Sequence, residues 1–251
     1  MSAGSGAATQ AKWTILLQRV REHPVTVGTP PQTYTYARLV SDMIASLYGV
    51  PNWTPAAELL QSLWTSSESS APLPVPNAAI SSAAQELGFE NRVQQLAVEC
   101  AESPNPRHPG VFPALAALAY ARAGDVGPFW TWYDEPCASW PATAAERYAG
   151  PWDRPTANPI LLINTTHDPA TPYEGAVAMA HALARARLLT IDGYGHGGGG
   201  IPSACVDTYK SSYFVDGTLP PPGTVCEQDQ PPFTTGPWPA TTAVRRGPCS
   251  S

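Results

Sequence analysis

The sequence predicts an α/β protein in two parts, a mainly helical lobe over residues 1–150 and a short parallel sheet with a crossing helix over 151–233. An extended Pro-rich tail follows at 234–251. Three observations carry this reading. Apolar residues recur at helical spacing through the first half. A strand–helix–strand pattern fills residues 159–193, the unit that builds parallel pairs. Proline, 29 of 251 residues, is about twice its usual ~5% share and gathers at 73–77, 104–113, 220–222 and 231–239, between or after the patterned segments.

In chain order, "TYARLVSDMIASLYG" places Leu39, Val40, Met43, Ile44 and Leu47 on one helical face, with Gly49 and Pro51 as the stop. "TPAAELLQSLW" predicts a helix opened by Thr54 as N-cap and Pro55 at the first helical position, with Leu59, Leu60, Leu63 and Trp64 on one side. "AAISSAAQELG" and "FPALAALAYARAG" predict two more helices, each ended by glycine. No strand pattern competes in this half. Trp13, Tyr34, Tyr36, Trp53 and Trp64 are expected in the core between helices. "NPILLINTTHDP" then holds an apolar run, Ile160 to Ile163, bounded by Pro159 and Asn164, which reads as a fully buried strand. "TPYEGAVAMAHALARA" predicts a helix with Thr171 as N-cap, Pro172 at its first position and Glu174 closing a capping box. Its apolar face is Ala176, Val177, Met179, Ala180 and Leu183, and "RLLTIDG" is the second strand.

Charged residues make up 14% of the chain and the net charge is −6, with no basic run, so nucleic acid is not expected as a partner. No stretch reaches the ~18 apolar residues of a membrane span. "MSAGSGAATQAKWTILLQRV" lacks the basic and apolar regions of a signal peptide. The five cysteines at 100, 137, 205, 226 and 249 show no metal-type spacing. Two pairs and a leftover suit an oxidising compartment; free buried thiols are the alternative. No metal or cofactor is expected.

The chemistry concentrates at two strand ends. Asp168 lies just past the first strand and His196, in "TIDGYGHGGGG", just past the second, 28 residues later. Functional groups collect beyond the carboxyl ends of parallel strands. A carboxylate on Nδ1 fixes an imidazole's tautomer and stabilises the imidazolium that forms when the ring takes a proton. Taken alone, Asp168 reads as a turn former before Pro169, and His196 as a solvated loop histidine. Taken together they favour a catalytic pair. A metal set of His167, Asp168 and His196 is weaker, because adjacent residues of an extended segment point to opposite sides. Glycines 193, 195 and 197 to 200 would let the loop turn and a substrate backbone approach. A nucleophile is missing. No serine sits in a G-x-S-x-G elbow, and the nearest, Ser5 in "AGSGA", has alanines where the outer glycines belong.

"NPILLINTTHDPATPYEGAVAMAHAL", "ARLLTIDGYGHGG", "PSACV", "YFVDGTLPPPGTVC" and "DQPPF" resemble the C-terminal region of tripeptidyl-aminopeptidase-like serine hydrolases, exported α/β-hydrolases of peptidase family S33. The likeness is dense from "CASWP" at Cys137 to Phe233. It continues as a weaker one through "RLVSDMIASLYGVPNWTPAAELL" and "AVECAE", the family's cap. The resemblance implies that Asp168 is the triad acid and His196 the base, that Cys205 pairs with Cys226 and Cys100 with Cys137, and that Cys249 has no family counterpart. It implies a secreted or cell-envelope location. It also implies a peptide substrate with a free N-terminus, or a small ester or amide, in the complete enzyme. Glu99, Glu102, Asp134 and Glu135 are candidates by sign to hold the substrate's ammonium, and each also reads as a solvated surface charge. The core strands, oxyanion loop and elbow that precede the cap in that family are not among these residues. The chain is therefore expected to form the last strands and helices of an α/β-hydrolase, to expose apolar surface where further strands would pack, and not to perform acyl transfer unaided. The rival expectation is a catalytically inactive truncated remnant or a non-catalytic module that binds a partner.

Overall fold

Helix α1 (Gly6–Glu22) begins where Ser5, in extended backbone, turns its hydroxyl to accept the Ala8 N–H. The serine nearest in pattern to a nucleophile elbow is thus a helix cap. The computed structural model describes residues 5–68, 89–197 and 201–233. The helix expected over "AAISSAAQELG", the glycines 198 to 200 and the tail with Cys249 lie outside the described residues. The chain divides into two compact units: Met1–Ser46 with Thr54–Gly150, and Leu47–Trp53 with Pro151–Ser251.

In the first unit α1 buries Leu16, Leu17 and Val20. A hairpin follows, which the sequence reading missed: β1 (Val25–Val27) pairs antiparallel with β2 (Gln32–Tyr34) around a cis Thr29–Pro30 bond. Three-residue strands are too short to show a period of two. Helix α2 (Tyr36–Leu47) buries Leu39, Val40, Met43 and Ile44, whereas Leu47, expected on that face, is exposed at its end. Asp42 is buried beside them, within 3.5 Å of the Arg38 guanidinium one turn earlier. Helix α3 (Trp53–Glu68) starts at Trp53 rather than after a Thr54 cap, because the single turn Val50–Asn52 runs straight into it. Pro55 therefore occupies the third position, where its absent N–H is still no loss. Of the five aromatics expected in the core only Tyr34 is buried. The others are half-buried, and two carry cations on their faces: Arg19 lies 4.4 Å over Trp64 and Arg21 4.1 Å over Tyr36. A ring with one apolar and one cation-facing side does not need full burial.

Helices α4 (Phe89–Glu102), α5 (Phe112–Ala123) and α6 (Gly127–Asp134) complete this unit. A core of Leu96, Cys100, Tyr133 and Cys137, flanked by Phe129, Trp130 and Trp140, surrounds the Cys100–Cys137 disulfide.

The second unit is built on three parallel strands in the order β3 (Ile160–His167), β4 (Ala186–Tyr194), β5 (Val225–Glu227). The sequence gives two of these; the third is three residues long and has the same difficulty as the hairpin. Helix α7 (Tyr173–Ala182) connects β3 to β4, and its Tyr173 hydroxyl meets Thr190 of β4 at 2.6 Å. The cap of α7 is Pro172, with no side-chain bond, so the expected Thr171 capping box does not form. Met179, expected on the apolar face of this helix, is instead 41% exposed. Strand β3 is not fully buried either. Ile160 to Ile163 are half-exposed, because β3 is the sheet's edge and lacks a second neighbour among the described residues. Helix α8 (Ala204–Asp216) is capped by Ser203 and tied to β5 by the Cys205–Cys226 disulfide, over a core of Leu189, Ile191, Ile201, Val206 and Cys226. Phe214 and Val215 stand 76% and 80% exposed at its far end, more apolar surface than such a helix end normally shows. No described helix is long and apolar enough to cross a membrane.

Candidate active site

Parallel register decides where the two polar side chains emerge. Thr165 pairs with Ile191 and His167 with Tyr194, so β3 and β4 end side by side, and Asp168 and His196 follow them. The buried Asn164 prepares the first turn. Its side-chain amide donates to the Thr171 carbonyl, 3.0 Å, while its Oδ1 accepts the Thr165 N–H, 2.6 Å. Asp168 then folds the chain onto itself, its Oδ1 accepting the backbone N–H groups of Ala170 and Thr171, each at 2.8 Å. Its Oδ2 accepts the Thr171 hydroxyl at 2.9 Å and the Gly197 N–H at 3.1 Å. The Thr171 hydroxyl, which a capping box would use on the next helix, goes to the carboxylate instead.

His196 Nδ1 lies 3.0 Å from Oδ1 and 3.1 Å from Oδ2 of Asp168. The turn-forming and histidine-orienting readings of Asp168 are both realised, by different lone pairs. The carboxylate side chain is 0% exposed and the imidazole 37%, so the ring screens the acid and keeps its own outer edge in solvent. Gly195 makes the return possible. Its φ of +115° is left-handed, its N–H donates to the His167 carbonyl, and a Cβ there would stand 2.9 Å from the Tyr48 carbonyl oxygen. That oxygen accepts the His196 N–H at 2.8 Å. Gly193 is not part of the loop. It closes β4, where the Gln228 side chain takes the space a Cβ would need.

Burial pushes the Asp168 carboxyl up, but the N–H groups of Thr171, Ala170 and Gly197, and then the His196 ring, outweigh it and hold the pKa below the ordinary carboxylate value. A pKa depressed on folding contributes stability that is complete above the unfolded value, near 3.9, and is lost as pH falls through the folded value. Denaturant titrations between about pH 2 and pH 5 should therefore show stability declining with acid more steeply in the native chain than in Asp168→Asn. Equal slopes would mean that the carboxylate is not held as described.

The ionised Asp168 can only accept, so Nδ1 carries the ring hydrogen, and in the uncharged form of the ring the lone pair lies on Nε2, the nitrogen away from the acid. That is the arrangement of a general base with its orienting acid. No metal set of three His, Cys, Asp or Glu residues occurs among the described residues. His167 is instead stacked on Tyr194, centroids 4.6 Å apart. Of the acidic candidates, Glu99 accepts from the Gln95 amide, and its charge, after burial, helps raise the Asp134 carboxyl. Glu102 and Glu135 are not drawn into that pair. Cys100–Cys137 and Cys205–Cys226 are both bonded. Sequence reasoning missed Thr171 and Gly197 as partners of the Asp168 carboxylate and Tyr48 as a neighbour of His196. The aspartate-x-x-threonine spacing in "HDPAT" could have indicated Thr171; nothing local announces a residue 148 positions away.

A parallel sheet with an acid and a histidine at adjacent carboxyl ends is the late portion of an α/β-hydrolase. Residues 122–226 match the model of the family described as TAP-like protein, which is what this stretch is similar to. The chain is 37% identical to carboxylesterase B of Mycobacterium tuberculosis over 139 residues, 52% of this chain and 25% of the relative. It is 37% identical to serine protease Hip1 of the same species over 112 residues, 42% of this chain and 21% of the relative. Tripeptidyl aminopeptidase of Streptomyces lividans matches at 26% over 220 residues, 84% of this chain and 38% of the relative. The chain thus spans well under half the length of these curated relatives.

Proposed function

We propose that Asp168 and His196 are the acid and base of a serine hydrolase, acting on peptide bonds near a free N-terminus or on simple esters and amides. The observation that carries this reading is the 3.0 Å contact between a fully buried, five-fold hydrogen-bonded carboxylate and the Nδ1 of a half-exposed imidazole. The names of the relatives, a serine protease, a tripeptidyl aminopeptidase and a carboxylesterase, support the same chemistry. His196 Nε2 would take the proton of an attacking serine, which no elbow in these 251 residues provides, so the nucleophile comes from a segment outside them. Residues 1–150 would form the cap, 151–233 the last part of the hydrolase fold and 234–251 an extended tail. The two disulfides suit an exported or cell-envelope enzyme.

A chimera tests this: these residues replace the matching segment of the Streptomyces lividans enzyme, and a fluorophosphonate probe reports serine reactivity. The chimera should label, and its His196→Ala form should not. Undiminished labelling of His196→Ala would remove His196 from the mechanism. The half-exposed β3 edge favours the second reading, a partner-binding module, which a folded but unreactive chimera would support.

A further inference from the structure

The second unit contains a seven-residue strap, Leu47–Trp53, that belongs with the sheet although the residues on either side of it belong to the helical unit. It is fastened to the end of β4 at both of its own ends. Trp53 stands edge-on to Tyr194, centroids 5.4 Å apart, and Tyr48 stands edge-on to His196 at 5.0 Å and 66°. The Tyr48 carbonyl also accepts the His196 N–H and fills the space that Gly195 leaves by lacking a Cβ. Val50, between the two rings, is buried at 6%.

We propose that Tyr48 is a positioning residue for His196. The inference rests on the acid–base reading of Asp168 and His196. Asp168 holds the imidazole only through Nδ1, and a ring gripped at one atom can still swing about that bond. Two further holds remove this freedom: the carbonyl of Tyr48 fixes the backbone from which the ring hangs, and its aromatic edge blocks the ring's departure from the plane that keeps Nδ1 on the acid. Tyr48 need not touch substrate. It keeps Nε2 aimed.

The test is the exchange with water of the His196 Nδ1 proton, followed by NMR on the intact chain, with the methyl signals of Leu189 and Ile191 as the control for folding. The native chain should show a downfield signal for this proton that Asp168→Asn abolishes; if no such signal exists, the acid–base reading fails and the present proposal with it. If the signal exists, Tyr48→Phe should exchange at the native rate, since the ring edge remains. Tyr48→Ala should exchange about threefold to tenfold faster, the factor by which an edge-on ring pair biases two arrangements. Tyr48→Leu fills similar space without a ring edge, guards against collapse of the strap, and should behave like the alanine form. Native exchange rates in both Tyr48→Ala and Tyr48→Leu, with the Asp168-dependent signal intact, would overturn the proposal while leaving the acid–base pair standing.

Discussion

In the hydrolase chimera, Asp168→Asn is expected to lower kcat by about 10³- to 10⁴-fold with little change in KM. The size follows from the tautomer. An asparagine can keep its oxygen on the Ala170 and Thr171 N–H groups, which now hold Oδ1. Its NH₂ then faces the Gly197 N–H and His196 Nδ1, where Oδ2 accepts at present. A donor opposite Nδ1 drives the ring hydrogen to Nε2 and removes the lone pair that would take the serine proton. The carboxylate is 0% exposed, so no substrate contact is lost and ground-state binding should hold. Steady-state kinetics on an amide and an ester substrate would check this. A loss below about tenfold would show that the pair does not work as acid and base.

The second large effect concerns the crosslinks. Removing Cys205–Cys226, which closes 21 residues of chain, is expected to cost about 3 kcal/mol, and removing Cys100–Cys137, which closes 37, about 4 kcal/mol. Cys100, Cys137 and Cys226 lie in cores, with relative exposures of 0–1%, whereas Cys205 is exposed, so alanines at the three buried positions also leave small voids. Thermal unfolding of the two double-alanine chains should begin roughly 5–15 °C below that of the native chain, each transition registering in the unit that lost its bridge. Unchanged unfolding on adding a reductant to the native chain would show that the bridges carry no load. The Cys205–Cys226 bond matters for the site as well as for stability, because β5 lies against β4, the strand that delivers His196.

How much of this was legible depended on the length of the signal. The helices at 36–47 and 112–123 and the strand–helix–strand unit are long enough for apolar spacing to reveal them. The hairpin at 25–34 and the strand at 225–227 are not, since three residues carry no usable period. Burial was harder still. Ile160 to Ile163 read as a covered strand because an apolar run implies cover on both sides, and β3 has one neighbouring strand among the described residues. Trp64 and Tyr36 read as core because composition does not show a guanidinium lying on a ring.

The sequence by itself determined the two strand ends and the residue types placed there, because chain direction in a parallel unit puts successive carboxyl ends on one rim. Its glycines at 193, 195 and 197 to 200 also indicated a sharp turn beside the histidine, and the structure places the left-handed backbone at Gly195 and Gly197. Only the tertiary structure decided how the carboxylate divides its lone pairs, that Thr171 bonds Asp168 rather than capping a helix, and that a strap 148 residues upstream lies against His196. These depend on distances between segments remote in sequence, and no local propensity encodes such distances; packing and hydrogen-bond satisfaction across the whole unit set them.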